Sequence, residues 1–192
     1  HHGAYDLAYM RAIPNMIVSS PMNERELRNL MYTAQLPNQG PFTIRYPRGK
    51  GVMTEWKTPF EEIVIGTGRE VHQGEKVAVL TIGHIGNYLT KVRELVDHDF
   101  GHYDMRFVKP LDTKLLEQVF MRYDKVITVE DGCLMGGFGS SILEYAADQG
   151  YNKTVKRLGI KDEVIEQGEQ IELQKECGFD PEGIAQTIND LW

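Results

Sequence analysis

The first residue to ask chemistry of is Arg48, in the run Thr43-Ile44-Arg45-Tyr46-Pro47-Arg48-Gly49. Thr43 to Tyr46 are the β-branched, aromatic or long residues that strands favour. Pro47 cannot donate to a ladder and closes the strand. Arg48 is thereby placed on a stiff corner at a strand's carboxyl end, the side of an open α/β sheet where ligands gather. Its forked guanidinium suits a phosphate or a carboxylate; the alternative is a surface arginine paired with a neighbouring acid. His1 and His2 open the chain. They read either as groups for proton transfer and phosphate neutralisation near neutral pH or as the remnant of a tag. Gly136-Gly137-Phe138-Gly139-Ser140-Ser141 precedes a helix, so its amides could cradle an anion. Ile142 stands where a dinucleotide fingerprint needs its third glycine, and Val71 does the same after Gly66-Thr67-Gly68. A tight turn with close helix packing is the reading we favour for both. Glu130-Asp131 are adjacent on a strand and point to opposite faces, which suits a surface or interface role better than a shared proton. His72, His84, His98 and His102 share no metal-ligand spacing, so no metal is assigned.

The elements that must carry these groups alternate. Ala4–Arg11 reads as a short helix stopped by Pro14, and Met16–Val18 as a buried strand. Asn23 caps an amphipathic helix to Gln35, with Leu27, Leu30, Met31 and Ala34 on one face, and Glu26 completes an approximate capping box. After the turn Pro37–Pro41 comes the strand Phe42–Tyr46, and strand-helix-strand implies a parallel sheet. Residues 49–60 show no period and read as a linker. Glu62–Val71 and Lys76–Ile82 resemble the arms of a hairpin. There follow a helix over 86–97, a strand Tyr103–Val108, a helix capped by Asp112, a strand Lys125–Glu130, a helix to about Gln149 and a strand Thr154–Leu158. Two helices, at about 169–177 and 181–191, close the chain; the last starts on Asp180 with Pro181 behind it.

Composition narrows the function. With 192 residues and 41% apolar content, a real core is expected. The formal net charge of −7 argues against nucleic acid as a partner. Residues 1–50 hold six Lys/Arg against three acids, whereas residues 51–192 hold 15 against 25, so the first part suits an anionic small ligand better. Cys133 and Cys177 form no metal or disulfide pattern. No apolar run approaches the ~20 residues of a membrane span, and no signal peptide is visible. Two reduced thiols then fit a cytoplasmic protein.

Four stretches speak together: His1–Pro14, Ile44-Arg45-Tyr46-Pro47-Arg48-Gly49, Met105-Arg106-Phe107-Val108-Lys109-Pro110-Leu111-Asp112, and Val129–Ser140. In this order and spacing they closely resemble the C-terminal part of the 1-deoxy-D-xylulose-5-phosphate synthase family, thiamine-diphosphate enzymes of the transketolase group. The resemblance implies an α/β fold in which residues 1–48 are the tail of a parallel-sheet pyrimidine-binding domain. Residues 49–60 are then a linker and 61–192 a complete transketolase C-terminal-like domain. It implies an enzyme that condenses pyruvate with glyceraldehyde 3-phosphate, with loss of CO2, on the way to isoprenoids and thiamine. It makes His1-His2-Gly3 the end of a native histidine loop, with His1 near the reacting centre as a catalytic group and His2 as a substrate contact. Arg48 matches the arginine that grips the aldehyde's phosphate. The family's thiamine-diphosphate and Mg2+ motifs have no match in this chain, so this piece alone is expected to bind neither and to be inactive. A homodimer is implied, with Leu134–Phe138 as a candidate partner contact. One departure is Glu166, where the family usually has proline. The alternatives are a 2-oxo-acid dehydrogenase β-like subunit, whose Tyr-Pro-Arg-Gly and Met-Arg-Phe-Val-Lys-Pro-Leu-Asp regions differ, and a non-catalytic assembly module.

Overall fold

The computed structural model describes residues 3–192. A single 3-10 turn (Gly3–Tyr5) leads into α1 (Asp6–Ala12), β1 (Ile17–Ser19), α2 (Glu24–Thr33) and β2 (Phe42–Ile44). The rest is β3 (Arg69–His72), β4 (Val77–Thr81), a 3-10 turn Gly83–Asn87, α3 (Tyr88–Leu95), β5 (Gly101–Asp104), β6 (Phe107–Lys109) and α4 (Thr113–Arg122). β7 (Lys125–Cys133), α5 (Phe138–Asp148), β8 (Thr154–Ile160), α6 (Gln170–Cys177) and α7 (Pro181–Leu191) complete it. No described helix is long and apolar enough to cross a membrane.

Two sheets organise these elements. The larger has the order β3-β5-β4-β7-β8, with β5, β4, β7 and β8 parallel and β3 antiparallel at the edge. All of β4 is buried, as parallel strands with both faces covered must be. Its side chains alternate between two cores. Ala78 and Leu80 join Leu116, Phe120, Phe138 and Ile142 from α4 and α5 on one face. Val77 and Val79 join Leu89, Val92, Ile184 and Ile188 from α3 and α7 on the other. The hairpin expected from Glu62–Val71 and Lys76–Ile82 does not form, because β5 lies between β3 and β4 and pairs with both. Apolar content marked these runs as strands, but nothing in it fixes which strand becomes the neighbour.

The smaller sheet, order β2-β1-β6, has β1 and β2 parallel and β6 antiparallel to β1. Its third strand comes from the far side of the chain. The single strand expected over Tyr103–Val108 breaks at Arg106, whose φ is +57°. That left-handed residue turns the chain out of one sheet and into the other. Below the break, Arg106 Nε donates to Glu26 Oε1 at 2.6 Å, and Arg69 Nη2 pairs with Asp104 at 2.9 Å and Glu26 at 3.5 Å. Glu26 and Asp104 are both buried. This cluster ties α2 to β3 and to the β5–β6 bend.

Caps behave as their residue types dictate. Asn23, Asp112 and Asp180 each accept the N3 amide of the helix they start. Glu26 Oε2 accepts from Met22 N at 2.6 Å, one residue before the cap, so the capping box closes one position early. The stretch after Gly49 runs along α2. Glu24 takes the amides of Val52 and Met53, Arg28 Nε donates to Thr58 O, and Asn29 and Thr33 accept from Glu61 N and Ile63 N.

Candidate active-site cleft

The carboxyl ends of strands from both sheets face one cleft of about 440 Å³, within the usual size of a small-molecule site. Pro21 and Met22 follow β1, Tyr46, Pro47 and Arg48 follow β2, and His84, Asn87 and Tyr88 follow β4; all line it. Arg48 and Lys50 stand exposed at the mouth, and among the described residues neither side chain enters an ion pair or hydrogen bond. The acid beside them, Glu24, has its oxygens occupied by Val52 N at 2.8 Å and Met53 N at 2.9 Å. Gly51 permits that grip, because a Cβ there would lie 2.1 Å from Glu24 Oε1. The mouth therefore presents cationic charge to solvent.

Behind the lining residues His84 and Gln170 the charge is paired. Asp131 lies 3.4 Å from Arg45 Nη2 and 3.4 Å from His84 Nε2, and accepts from Gln170 Nε2 at 3.3 Å. Arg45 is thus the cation that faces Asp131 behind the cleft lining. Burial pulls the His84 imidazole down to about 4; Asp131 opposes that shift and Arg45 reinforces it. The ring is neutral at physiological pH. Burial likewise raises the Tyr88 hydroxyl, which donates to Gln174 Oε1 at 2.5 Å.

Of the expected site residues, Arg48 lies on the cleft, and His1 and His2 lie outside the described residues. The glycine-rich turn before α5 does hold an anion, but an internal one. Glu130 is fully buried and accepts from Phe138 N at 2.7 Å and Gly139 N at 2.8 Å. A surface or interface role for Glu130 is therefore wrong: its carboxylate caps α5 from within, where the helix N-terminus favours negative charge. Burial pushes that carboxyl up to about 7 against the pull of the two amides. Phe138, expected in an exposed contact loop, is in the core, while Met135 is 65% exposed. His84, Asn87 and Tyr88 were missed as site residues. A signal existed: His84 stands just past Gly83, at the end of the most continuous buried apolar run in the sequence.

Comparison with known proteins agrees with this geometry. The family "Transketolase, C-terminal domain" matches residues 66–184, and "Transketolase, pyrimidine binding domain" matches residues 1–52. The chain is 63% identical over its whole length to a 1-deoxy-D-xylulose-5-phosphate synthase of Cytophaga hutchinsonii and covers 31% of that protein. Synthases of the same name from Phocaeicola vulgatus and Vibrio vulnificus are 52% and 43% identical over 98% of the chain, which covers 30% of each. The chain thus spans about a third of the length of these curated relatives. A solved structure described as "Split gene transketolase, inactive beta4 tetramer" superposes with a TM-score of 0.78 over 97% of this chain and 60% of that one. At 22% identity it speaks for the fold alone. An α/β chain whose two sheets turn their carboxyl ends on one cleft, and whose sequence matches both domain families in order, belongs to the transketolase family.

Proposed function

We propose that the full-length protein condenses pyruvate with glyceraldehyde 3-phosphate, with loss of CO2, to give 1-deoxy-D-xylulose 5-phosphate. In this reading Arg48 grips the acceptor's phosphate. The observation that supports it most is the mouth of the cleft: a guanidinium at a strand's carboxyl end, beside Lys50, with the neighbouring carboxylate of Glu24 held by backbone amides. A charge-assisted, forked contact to phosphate is the interaction arginine makes best. Lys50 adds charge at the same mouth, and Pro47 fixes the corner on which Arg48 is carried.

Thiamine diphosphate with Mg2+ would supply the carbon-carbon chemistry in the whole enzyme. Among the described residues no three His, Cys, Asp or Glu side chains converge as a metal site needs. The part we assign to this chain is the acceptor side: it binds and orients the aldehyde. His1 is its candidate proton donor to the acceptor oxygen, and His2 a weaker substrate contact. By the same reading the 192 residues alone are inactive, residues 61–192 form the C-terminal domain that helps build a homodimer, and the protein works in the cytoplasm.

The test is an assay of the full-length protein with pyruvate, thiamine diphosphate and Mg2+. Release of CO2 with formation of a 1-deoxy sugar phosphate should require glyceraldehyde 3-phosphate. Release that instead depends on a lipoyl acceptor would replace this reading with a 2-oxo-acid dehydrogenase.

A further inference from the structure

The five-stranded sheet has a ligand position of its own. Its chain runs from β4 outward to β5 on one side and to β7 and β8 on the other. The helix after β4, α3, packs on one face, and the helix after β7, α5, packs on the other. β4 and β7 therefore flank the topological switch point, outside whose carboxyl ends α/β sheets bind their ligands. His84 follows β4 there, and Asp131 lies at the end of β7. The crevice opens into the cleft whose mouth carries Arg48.

His84 is unfinished as a structural residue. Both ring nitrogens are buried without a hydrogen-bond partner among the described residues, although buried polar atoms nearly always have one. The 3.4 Å approach of Nε2 to Asp131 is within ion-pair distance but outside hydrogen-bond geometry. Asp131 is meanwhile occupied by Arg45 and Gln170. Yet the turn that carries the ring is held firmly. Gly83 has φ +75°, and a Cβ on it would meet Ser20 Oγ at 2.3 Å, so the turn sits hard against the loop after β1. Asn87 Nδ2 donates to His84 O at 2.9 Å and Met22 O at 2.7 Å, tying the same turn to the facing unit. A neutral imidazole on a fixed turn, with neither ring nitrogen hydrogen-bonded among the described residues and lining the same cleft as Arg48 and Lys50, can donate to an anion bound there.

We propose that His84 is a second anion-binding residue of the cleft, donating through its imidazole to the phosphate monoester that Arg48 grips. The inference rests on the phosphate reading of Arg48 and extends it to the C-terminal domain. That domain then takes part in recognising the substrate as well as in assembly.

The test uses the full-length protein with 15N-labelled histidine rings, titrated separately with inorganic phosphate, glycerol 3-phosphate and acetate. The His84 ring signal, assigned by its loss in His84→Phe, should shift saturably with both phosphates and far less with acetate. His84→Phe should weaken phosphate binding about tenfold, the effect of one hydrogen bond to a charged group. Its melting temperature should not fall, because the substitution removes an unpaired polar group. His84→Gln, which keeps an N–H, should recover part of the affinity. An unmoved ring signal at saturation, or His84→Phe binding phosphate within twofold of wild type, would overturn the proposal. Acetate matching phosphate would overturn the ligand class. If His84→Phe does not fold, the wild-type ring shift, assigned by elimination, decides. Arg48→Ala separates the two readings. Lost affinity there with none lost in His84→Phe sinks only the inference, and the reverse pattern sinks only the role of Arg48.

Discussion

The two sheets of this chain are finished to different degrees. In the larger, β4 is buried end to end and the strands beside it are covered by helices on both faces. In the smaller, every residue of β2 is only half-buried, and the third strand, β6, is lent by the C-terminal part of the chain. The larger sheet has the burial of an independent core. The smaller depends on loans: β6, the Glu26–Arg106–Arg69–Asp104 cluster, and residues 51–63 laid along α2. Its cleft is built where the loans are made. A site at such a seam can draw donors from both units, and its geometry lasts only while the seam holds.

Core substitutions should break the comparison most sharply. Phe120 is fully buried and stacked on Tyr151 at 5.0 Å, so Phe120→Ala should cost about 4 kcal/mol of stability. Ile44→Ala, at a half-buried position of β2, should cost about 1 kcal/mol. Denaturant melts of both would show it; equal losses would mean the two sheets are equally finished. Next comes the seam. Glu26→Ala leaves Arg106 and Arg69 without their shared carboxylate and should cost about 3 kcal/mol. Hydrogen exchange should then speed up in α2 and β1 before it does in β4.

The third test is by pH, and its sign can be worked out. His102 is buried with Nε2 3.0 Å from Thr81 Oγ1, and burial lowers its imidazole to about 3. The folded state resists the proton, so its contribution is present above the ordinary value of 6.5 and is lost as pH falls toward 3. Between pH 7 and 5 the wild type should lose about 2 kcal/mol more than His102→Gln. Burial raises Glu130 and Asp104, both to about 7, so their contributions run the other way, lost as pH rises through 7. They are common to both proteins and leave the difference unchanged. The smallest effect belongs to the mouth. Glu24→Ala should cost about 1 kcal/mol, seen as faster exchange at the Val52 and Met53 amides.

Most of the larger sheet was legible, because its strands are apolar runs of the right length and its helices carry capping residues whose side chains do what their chemistry allows. Asp112 and Asp180 are examples. Pairing was not legible: β5 enters between β3 and β4, and β6 changes sheets at Arg106, since both depend on contacts distant in sequence. The site divided the same way. The place of Arg48 on the cleft was readable from a local rule, a basic residue on a proline corner beyond a strand's carboxyl end. His84 was not singled out, because its meaning arises only when β7 and the loop after β1 close around it. Glu130 was misread because alternation predicts which way a side chain points but not what meets it; here the N-terminus of α5 does.

The account rests most heavily on Arg48, and substrate kinetics of the full-length enzyme test it most directly. Arg48→Ala should raise KM for glyceraldehyde 3-phosphate by about 10- to 100-fold, the value of one charge-assisted contact to phosphate. KM for pyruvate should change by less than about twofold. Equal effects on the two substrates would contradict the assignment of this cleft to the phosphate.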